Sequence, residues 1–382
     1  MDLDQRLRDA ARDVAEYVVA PAPATEAVQR RVRRARNVRL LAAAAAVAGC
    51  VGVAVGIGQL VGPEQRTPQP AGPDVVDLVW SDGTALHVRG DVVHVERELD
   101  VPIFGLTRVR GGVVFSTDPH RGQVYFRPDT GGDLVRLGRH TQAAPVGDPD
   151  SGIVAWFEAR QGQGSLVVYD VSAGEELGRA DVDVALRPED NIIFFGYTPV
   201  LSVSEGEVYF AQNKEVWVYR WASDAGPEST GATPARLVDV ANGVRAERSK
   251  GKLTFVRPDG SVVTPAEAGS YEGVMRSELN ATGSLFATAR GQVFSGHPAV
   301  VNTATGASVA LDVSSAGDVP GDVWQVSWVD DATVALIYLD NRDATDTDVS
   351  FTATLVACDV VTGACSAETL PGDGFLVTIP GN

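Results

Sequence analysis

An acidic segment near the C-terminus has residue types that bind hard cations. The stretch LDNRDATDTDVS places four carboxylates within nine residues: Asp340, Asp343, Asp346 and Asp348. Carboxylate oxygens clustered in this way could hold Ca²⁺. The segment lacks the central glycine and the closing glutamate of an EF-hand loop. We therefore interpret it as a charged insert between two strands and assign no metal site.

No arrangement of histidines or nucleophiles indicates catalysis. The five histidines are His87, His94, His120, His140 and His297, and no two have a metal-ligand spacing such as H-x-x-x-H. We expect His87 and His94 to lie on solvated strand faces. The chain also lacks a G-x-S-x-G nucleophile elbow, a phosphate-binding loop and a dinucleotide fingerprint. We therefore assign no catalytic residue and no cofactor, and predict a protein that is not an enzyme.

Two cysteines have a spacing that suits a disulfide across a hairpin. Cys358 and Cys365 lie in LVACDVVTGACSAETL, which predicts a strand, a turn at Thr362 and Gly363, and a second strand. An oxidising compartment would join the two sulfurs and stabilise the hairpin by about 2 kcal/mol. A metal site at this place would need more ligands than two thiols and Asp359. We predict the disulfide.

The six tryptophans raise the question of sugar binding, because aromatic faces suit carbohydrate. Trp156, Trp217, Trp324 and Trp328 lie in predicted strands with alternating apolar neighbours, which favours core positions. Trp80 and Trp221 lie nearer to turns. Core packing is the interpretation for most of them.

A long apolar segment predicts a membrane anchor. Residues 40–61 contain one polar side chain, Gln59, and 22 residues at about 1.5 Å each cover the hydrocarbon core. Both its length and the 39 residues before it disfavour a cleaved signal peptide. The sequence VAGC ending at Cys50 resembles a lipobox, but Val51–Ile57 stays apolar where a lipoprotein would turn polar. We interpret Cys50 as part of a spanning helix.

Basic residues set the orientation of this predicted span. Six arginines precede it, whereas only Arg66 follows closely; the six are Arg30, Arg31, Arg33, Arg34, Arg36 and Arg39. Positive flanks stay in the cytoplasm. Residues 1–39 are therefore predicted inside, and the rest of the chain after the span outside the cell membrane.

The predicted outer part is strongly acidic. Of 32 basic and 50 acidic residues, nine and six lie in residues 1–39, which leaves 23 and 44 after the span and a net charge of −21. Such a surface repels nucleic acid and anionic lipid. Nucleic acid is therefore excluded as the outer ligand.

Two short segments flank the span. Leu3, Leu7, Ala10, Val14 and Tyr17 form one apolar stripe, which predicts an amphipathic helix in the stub. This helix either lies on a surface or docks a cytoplasmic partner. Residues 62–74 are rich in proline and polar residues and are interpreted as a linker.

From residue 75 to 382 the chain is a series of short β-branched and aromatic runs separated by turn residues. One recurring unit is a strand, a D/N-x-x-T/S-G-like turn and a strand, as in LVVYDVSAGEELGRA, AVVNTATGASVALDV and LVACDVVTGACSAETL. A second unit, as in LTRVRGGVVFST, alternates with it. Units end near Arg139, Asp181, Asp239, Asp312 and Leu370. Four strands per repeat of this length are typical of a propeller blade.

Two stretches carry a family resemblance. SELNATGSLFATAR and SWVDDATVALIYL resemble the strand, turn and strand of TolB-like and WD-repeat propellers, and YDVSAGEEL resembles their outer hairpin. With its basic stub and single span, the chain resembles the membrane-anchored propellers common in actinobacteria. The resemblance implies an all-β ectodomain that forms a β-propeller.

The length sets the blade number. About 310 residues at roughly 44 per blade predict seven four-stranded blades, with six or eight as alternatives. GFLVTIPGN at the C-terminus is the candidate strand that completes the first blade. The alternative fold is a large pair of β-sandwiches.

Anchor, repeats and missing catalytic motifs lead to one main functional prediction. The chain is a membrane-anchored extracytoplasmic binding, sensing or scaffold module for an unknown protein or small ligand. A first alternative is a regulator whose stub binds a cytoplasmic partner such as an extracytoplasmic-function sigma factor. A second alternative is a propeller hydrolase or lactonase-like enzyme.

Overall fold

The computed structural model describes part of the chain: residues 72–75, 78–95, 103–117, 122–141, 143–160, 163–182, 200–223, 225–234, 237–249, 252–265, 277–290, 297–340, 351–370 and 377–380. The predicted stub, span and Cys50 lie outside these residues and stay predictions. Within the described residues, no helix has the length and apolar character needed to cross a bilayer.

The described residues form 27 β-strands that group into seven blades. Blade 1 contains β1 (Val79–Ser81), β2 (Leu86–Val88) and β3 (Asp91–Val93). Blade 2 contains β4 (Ile103–Val109), β5 (Gly112–Thr117), β6 (Gly122–Pro128) and β7 (Val135–Thr141). Blade 3 contains β8 (Val146–Gly147), β9 (Ile153–Arg160), β10 (Gln163–Asp170) and β11 (Glu175–Val182). Blades 2 and 3 are joined into one hydrogen-bonded sheet by the single pair Thr141 and Glu158.

The remaining blades have four strands each. Blades 4 and 5 contain β12 (Val200–Ser204), β13 (Glu207–Gln212), β14 (Glu215–Arg220), β15 (Glu228–Ser229); and β16 (Leu237–Ala241), β17 (Val244–Ser249), β18 (Lys252–Val256), β19 (Val262–Val263). Blades 6 and 7 contain β20 (Glu278–Leu279), β21 (Leu285–Arg290), β22 (His297–Asn302), β23 (Ser308–Val309); and β24 (Asp322–Trp328), β25 (Thr333–Asp340), β26 (Thr352–Asp359), β27 (Cys365–Thr369). A 3-10 helix, Val313–Ala316, lies between them.

Each blade is an antiparallel meander whose strands pair in chain order. The first strands of neighbouring blades contact one another: β12 contacts β16, β16 contacts β20, and β20 contacts β24. The first strand is therefore the inner strand of its blade, and the inner strands surround the central channel. This arrangement confirms the predicted seven-bladed propeller over six or eight blades and over a pair of sandwiches.

The ring is closed by the C-terminal segment. Thr378 pairs with Ser81 of β1 through two backbone hydrogen bonds of 2.8 and 2.9 Å. Residues 377–380 thus take the inner-strand position of blade 1, as the sequence predicted for this end of the chain. Closure leaves no unpaired inner edge on β1.

Seven hydrophobic clusters form the core of the described residues, one at each junction between blades. Successive side chains of a strand point to opposite faces. Val113 and Phe115 therefore pack toward blade 1, while Val114 between them packs toward blade 3. Burial on both faces explains why the strands are continuous apolar runs and not alternating ones.

The outer hairpins have the turn chemistry that the repeats predicted. Asp170 Oδ1 accepts hydrogen bonds from the backbone N–H groups of Ser172 and Ala173, at 2.8 and 3.1 Å. Asn302 and Asp359 do the same for the two residues at equivalent places in their turns. The glycine that ends each turn has a positive φ of 69 to 74°, which an L-residue adopts only with strain.

One predicted unit boundary is wrong. The unit end placed near Asp239 falls inside β16, the inner strand of blade 5, whereas blade 4 ends at Ser229. An aspartate usually marks a turn, but Asp239 is buried in a strand, with 1% of its surface exposed. The outer strands of other blades do end close to Arg139, Asp181, Asp312 and Leu370.

The end of the predicted linker contacts blade 7. Ser366 Oγ of β27 donates a hydrogen bond to the carbonyl oxygen of Pro73. A Cβ on Gly72 would lie 2.4 Å from the carbonyl carbon of Cys365, so only glycine fits this approach. Residues 72–74 thus lie against the outer strand of blade 7.

Candidate binding site at the channel mouth

The two ends of the ring carry different connections. Turns that join first to second strands and third to fourth strands lie at one end, which we call the turn end. Inner strands run toward it, so Val109 and Trp328 are the last residues of β4 and β24 there. The connections between blades and between second and third strands belong to the opposite end.

Polar side chains on the inner strands hydrogen-bond across blade junctions, and we call these contacts junction hydrogen bonds. Thr107 Oγ1 accepts from Gly147 N–H at 2.9 Å, which links blades 2 and 3. Asp239 Oδ2 accepts from Leu279 N–H at 2.7 Å, between blades 5 and 6. They satisfy backbone groups that the interior would otherwise leave unpaired.

Two more junctions next to blade 7 have the same arrangement. Glu278 Oε1 accepts a short hydrogen bond from Trp328 N–H, and Trp328 Nε1 donates to the Glu278 carbonyl at 2.9 Å. Gln325 accepts from Ile379 N–H at 2.9 Å and donates to Thr378 Oγ1 at 3.2 Å. Gln325 therefore ties the closing segment to blade 7.

Asp239 is the most deeply buried of these carboxylates. Its Oδ1 also accepts a hydrogen bond from Val240 N–H at 2.7 Å. Burial raises the pKa of Asp239 to about 6, although the hydrogen bonds from Leu279 and Val240 oppose this shift. The group thus carries a charge at neutral pH at a cost to folding.

A small pocket lies where blades 7, 1 and 2 meet at the turn end. Its walls are mostly aliphatic and come from blades 7 and 1: Leu78, Val79, Ser327, Trp328, Val329, Ala335, Ile379 and Pro380. Arg108, the residue before the end of β4, contributes the one charged side chain among the described residues that line it. The pocket thus joins a cation to an apolar wall at the channel mouth.

The guanidinium of Arg108 is partly buried and has no partner among the described residues. Arg108 lies in the same row across blade 2 as Val113 and Arg127, and Val113 is in the core between blades 1 and 2. Among the described residues it makes no hydrogen bond and no ion pair within 4 Å. Burial lowers its pKa, while the charges of Asp129 and Asp330 oppose that effect. Arginine nonetheless stays protonated at neutral pH.

The predicted histidine positions are only partly confirmed. His94 and His297 are exposed, but His87 is not on a solvated face. Its ring stacks on Trp80, with centroids 3.6 Å apart and planes 6° apart. Its Nε2 lies 3.5 Å from Asp82 Oδ2, and burial lowers the pKa of His87. The side chains of His120 and His140 lie outside the described residues.

The predicted disulfide is confirmed, whereas three of the four calcium candidates lie outside the described residues and stay untested. Cys358 and Cys365 are directly opposite in β26 and β27, and their sulfurs are bonded at 2.05 Å. Asp340 ends β25, and the other candidates, Asp343, Asp346 and Asp348, lie outside the described residues. No group of three or more His, Cys, Asp or Glu in the described part could hold a metal ion.

The tryptophans are mainly structural. Trp156 and Trp328 are buried at blade junctions, as predicted, and Trp217 and Trp324 pack against core clusters from partly buried positions. Trp80 is also a core residue, although its neighbours in the sequence indicated a turn. Trp156 Nε1 donates to Glu158 Oε1 at 3.2 Å.

Sequence reasoning missed Arg108, Asp239 and Glu278. The available signal was a charged residue at an inward position of a strand that is otherwise apolar, as in LVDVA of β16. That signal does not tell whether the side chain faces solvent, a backbone donor or a pocket, because the answer depends on the next blade.

Solved propeller structures resemble this chain at low identity. Hsv2 of Kluyveromyces lactis is 15% identical with a TM-score of 0.43, covering 68% of this chain and 75% of that one. TolB of Acinetobacter baumannii is 13% identical with a TM-score of 0.40, covering 73% and 67%. The RRP9 WD40 repeats are 11% identical with a TM-score of 0.45, covering 71% and 81%. No protein-family model matches the chain, and no curated protein sequence matches it.

Proposed function

We propose that the propeller is a binding or scaffold module and that its ligand or partner docks at the turn end, over the Arg108 pocket. One observation carries this proposal: a partly buried guanidinium that no described residue pairs. Taking a charge out of water without a partner costs free energy. A ligand with the opposite charge would offset that cost when it binds.

Site-specific photo-crosslinking in the source cells tests which end of the ring is used. A photoreactive residue replaces Arg110, which is exposed in the turn after β4, or Lys214, which is exposed at the opposite end after β13. We expect a specific crosslinked species from position 110 and none from position 214. Crosslinks from position 214 alone would move the site to the other end, and none from either would contradict a protein partner.

We further propose that the propeller is presented outside the cell by the predicted span. Support comes from the apolar run of residues 40–61, the six arginines before it, and the disulfide in blade 7, since disulfides persist in oxidising compartments. Protease added to intact cells should digest the propeller and leave the stub. Protection of the propeller would contradict this topology, and a mass that ends at a lipidated Cys50 would contradict the permanent span.

We also propose that the module is not an enzyme. The pocket is lined mostly by aliphatic side chains around one cation, and such a lining suits binding. The check is an assay of the full-length protein in detergent against peptide, glycan and lactone substrates. Turnover that is lost with Arg108→Gln would overturn this part of the proposal.

A further inference from the structure

The residues around Arg108 indicate the chemistry of the ligand and not only the place where it binds. Asp129 and Asp330, whose charges act on the guanidinium, each have another partner. Asp330 Oδ1 accepts hydrogen bonds from Ala332 and Thr333 N–H, each at 2.8 Å. Asp129 Oδ2 lies 3.5 Å from Arg89 Nη2. Since no acceptor in the described part of the chain bonds to Arg108, its five N–H donors are available to a ligand.

Asp129 is the internal group that competes with a ligand. Its second oxygen, Oδ1, is buried and has no hydrogen-bond partner in the described part of the chain. Asp129 therefore has an oxygen free, and its charge acts on Arg108. A ligand anion has to bind against the charge of Asp129, although Arg89 acts on Arg108 with the opposite sign, so removal of the Asp129 charge should strengthen anion binding.

The same acidic surroundings select the ligand's charge. A planar guanidinium binds carboxylate and phosphate equally well by geometry, through two parallel hydrogen bonds. Asp129 and Asp330 disfavour a second negative charge in the pocket, and the whole chain has a net charge of −18. A monoanion is favoured over a phosphate dianion.

The walls of the pocket favour one kind of chemical group next to the ligand's anion. Leu78, Val79, Val329, Ala335, Ile379 and Pro380 present aliphatic surface and no charge. Aliphatic surface favours burial of a short aliphatic group next to the charge. The enclosed space is about the size of one water molecule, so only the end of a short aliphatic group can enter it and a ring system cannot.

We propose that the Arg108 pocket binds a carboxylate on a short aliphatic group. Such a group is carried either by a free short-chain acid or by the aliphatic C-terminal residue of a peptide. The inference rests on the proposed binding role, since it names the ligand for that same site. Arg108 would pair with the carboxylate, and the closing segment at Ile379 and Pro380 would contact the aliphatic part.

Calorimetric titration of the full-length protein in detergent with propionate tests this inference. Propionate should bind saturably, whereas propionamide, its neutral isostere, and inorganic phosphate should bind at least about tenfold more weakly. Arg108→Gln should weaken propionate binding by about tenfold or more, and Asp129→Asn should strengthen it. Arg110→Gln is the matched control, because Arg110 is exposed two residues away, and it should leave the affinity unchanged.

A second pair of ligands separates the two sources of the carboxylate. The peptide Gly-Gly-Val with a free C-terminus is compared with the same peptide amidated. Tighter binding of the free form than of propionate indicates a peptide C-terminus, and tighter binding of propionate indicates a free acid; both support the proposal. Circular dichroism and the melting temperature of Arg108→Gln check that the variant is folded.

Three results would overturn the inference: equal binding of propionate and propionamide, tighter binding of phosphate than of propionate, or the same loss in Arg110→Gln as in Arg108→Gln. If these occur while position 110 still crosslinks a partner, the ligand assignment fails and the binding role stands. If no crosslink forms at position 110 but propionate binds through Arg108, the pocket takes a free acid only.

Discussion

At the residue scale, the side chains with the largest consequences are charged groups that the blades bury. Asp239 shows the balance between two opposing effects. Two backbone N–H groups favour its ionised form and burial disfavours it, and burial is stronger, because the pKa rises from 3.8 to about 6. The junction hydrogen bonds of Asp239 therefore come with a free-energy cost at neutral pH.

This balance gives a pH-dependent prediction for Asp239→Asn. Between pH 3.8 and about 6 the Asp239 carboxyl is protonated to a greater extent in the folded protein than in the unfolded chain. The contribution of Asp239 to the free energy of unfolding of the wild type therefore falls as the pH rises through that window. Asparagine does not titrate. The free energy of unfolding of the variant, relative to wild type, should therefore increase by about 3 kcal/mol between pH 3.5 and 6.5.

Urea unfolding at a series of pH values measures this difference. Asp181→Asn is the matched control for the loss of one carboxylate, because Asp181 is exposed on the outer strand of blade 3. If the Asp239→Asn difference moved the other way, the backbone donors would outweigh burial and the carboxyl would favour its charged form.

Burial of single residues is the part that the sequence could not predict. His87 looked like a surface residue of a strand, and its stacking on Trp80 depends on which residues lie opposite in the hairpin and on blade 7. Arg108 looked like any arginine near a turn. Trp80 is only seven residues from His87, but its burial depends on blade 7, and the pocket of Arg108 is built by blades far away in the sequence, whereas sequence patterns report local structure.

At the element scale, local signals were enough to predict the structure. In the outer hairpins an Asp or Asn accepts hydrogen bonds from its own turn, and a glycine four residues later supplies the positive φ. All of this chemistry lies within five residues, so it can be read from the chain. The disulfide hairpin of Cys358 and Cys365 was predictable for the same reason.

The disulfide gives a prediction at this scale. Replacing both cysteines by alanine should lower the free energy of unfolding by about 2 kcal/mol, since the bridge closes a short loop in the unfolded chain. Loss of the buried Cys358 side chain leaves a gap and adds to this decrease. Reductant should lower wild-type stability by the bridge contribution and leave the double variant unchanged. Unchanged wild-type stability after complete reduction, verified by mass, would refute the stabilising role.

At the scale of the whole molecule, repeat length and repeat number predicted seven blades because each blade is one local unit. The ring itself is a non-local property. It depends on the seven junction clusters and on a segment near residue 378 that pairs with Ser81, almost 300 residues away. The sequence suggested the closing strand, but it did not indicate the groups that hold it.

Gln325 is the residue that should control closure. Gln325→Leu keeps a similar volume but removes both hydrogen bonds to the closing segment and leaves Ile379 N–H buried without its acceptor. We expect a loss of roughly 1–3 kcal/mol in the free energy of unfolding. Thr378→Val removes one of the two bonds only and should cost less.

Hydrogen exchange distinguishes loss of closure from general destabilisation. In Gln325→Leu the amides of residues 377–380 and of β1 should exchange faster than in wild type, because opening begins at the closing junction. The amides of blade 4, which is farthest from that junction in chain order, should change least. Adding Thr378→Val to Gln325→Leu should have almost no further effect, since its partner is already gone. Equal acceleration in all blades, or additive effects of the two substitutions, would mean that Gln325 contributes to the fold as a whole and that another contact keeps the ring closed.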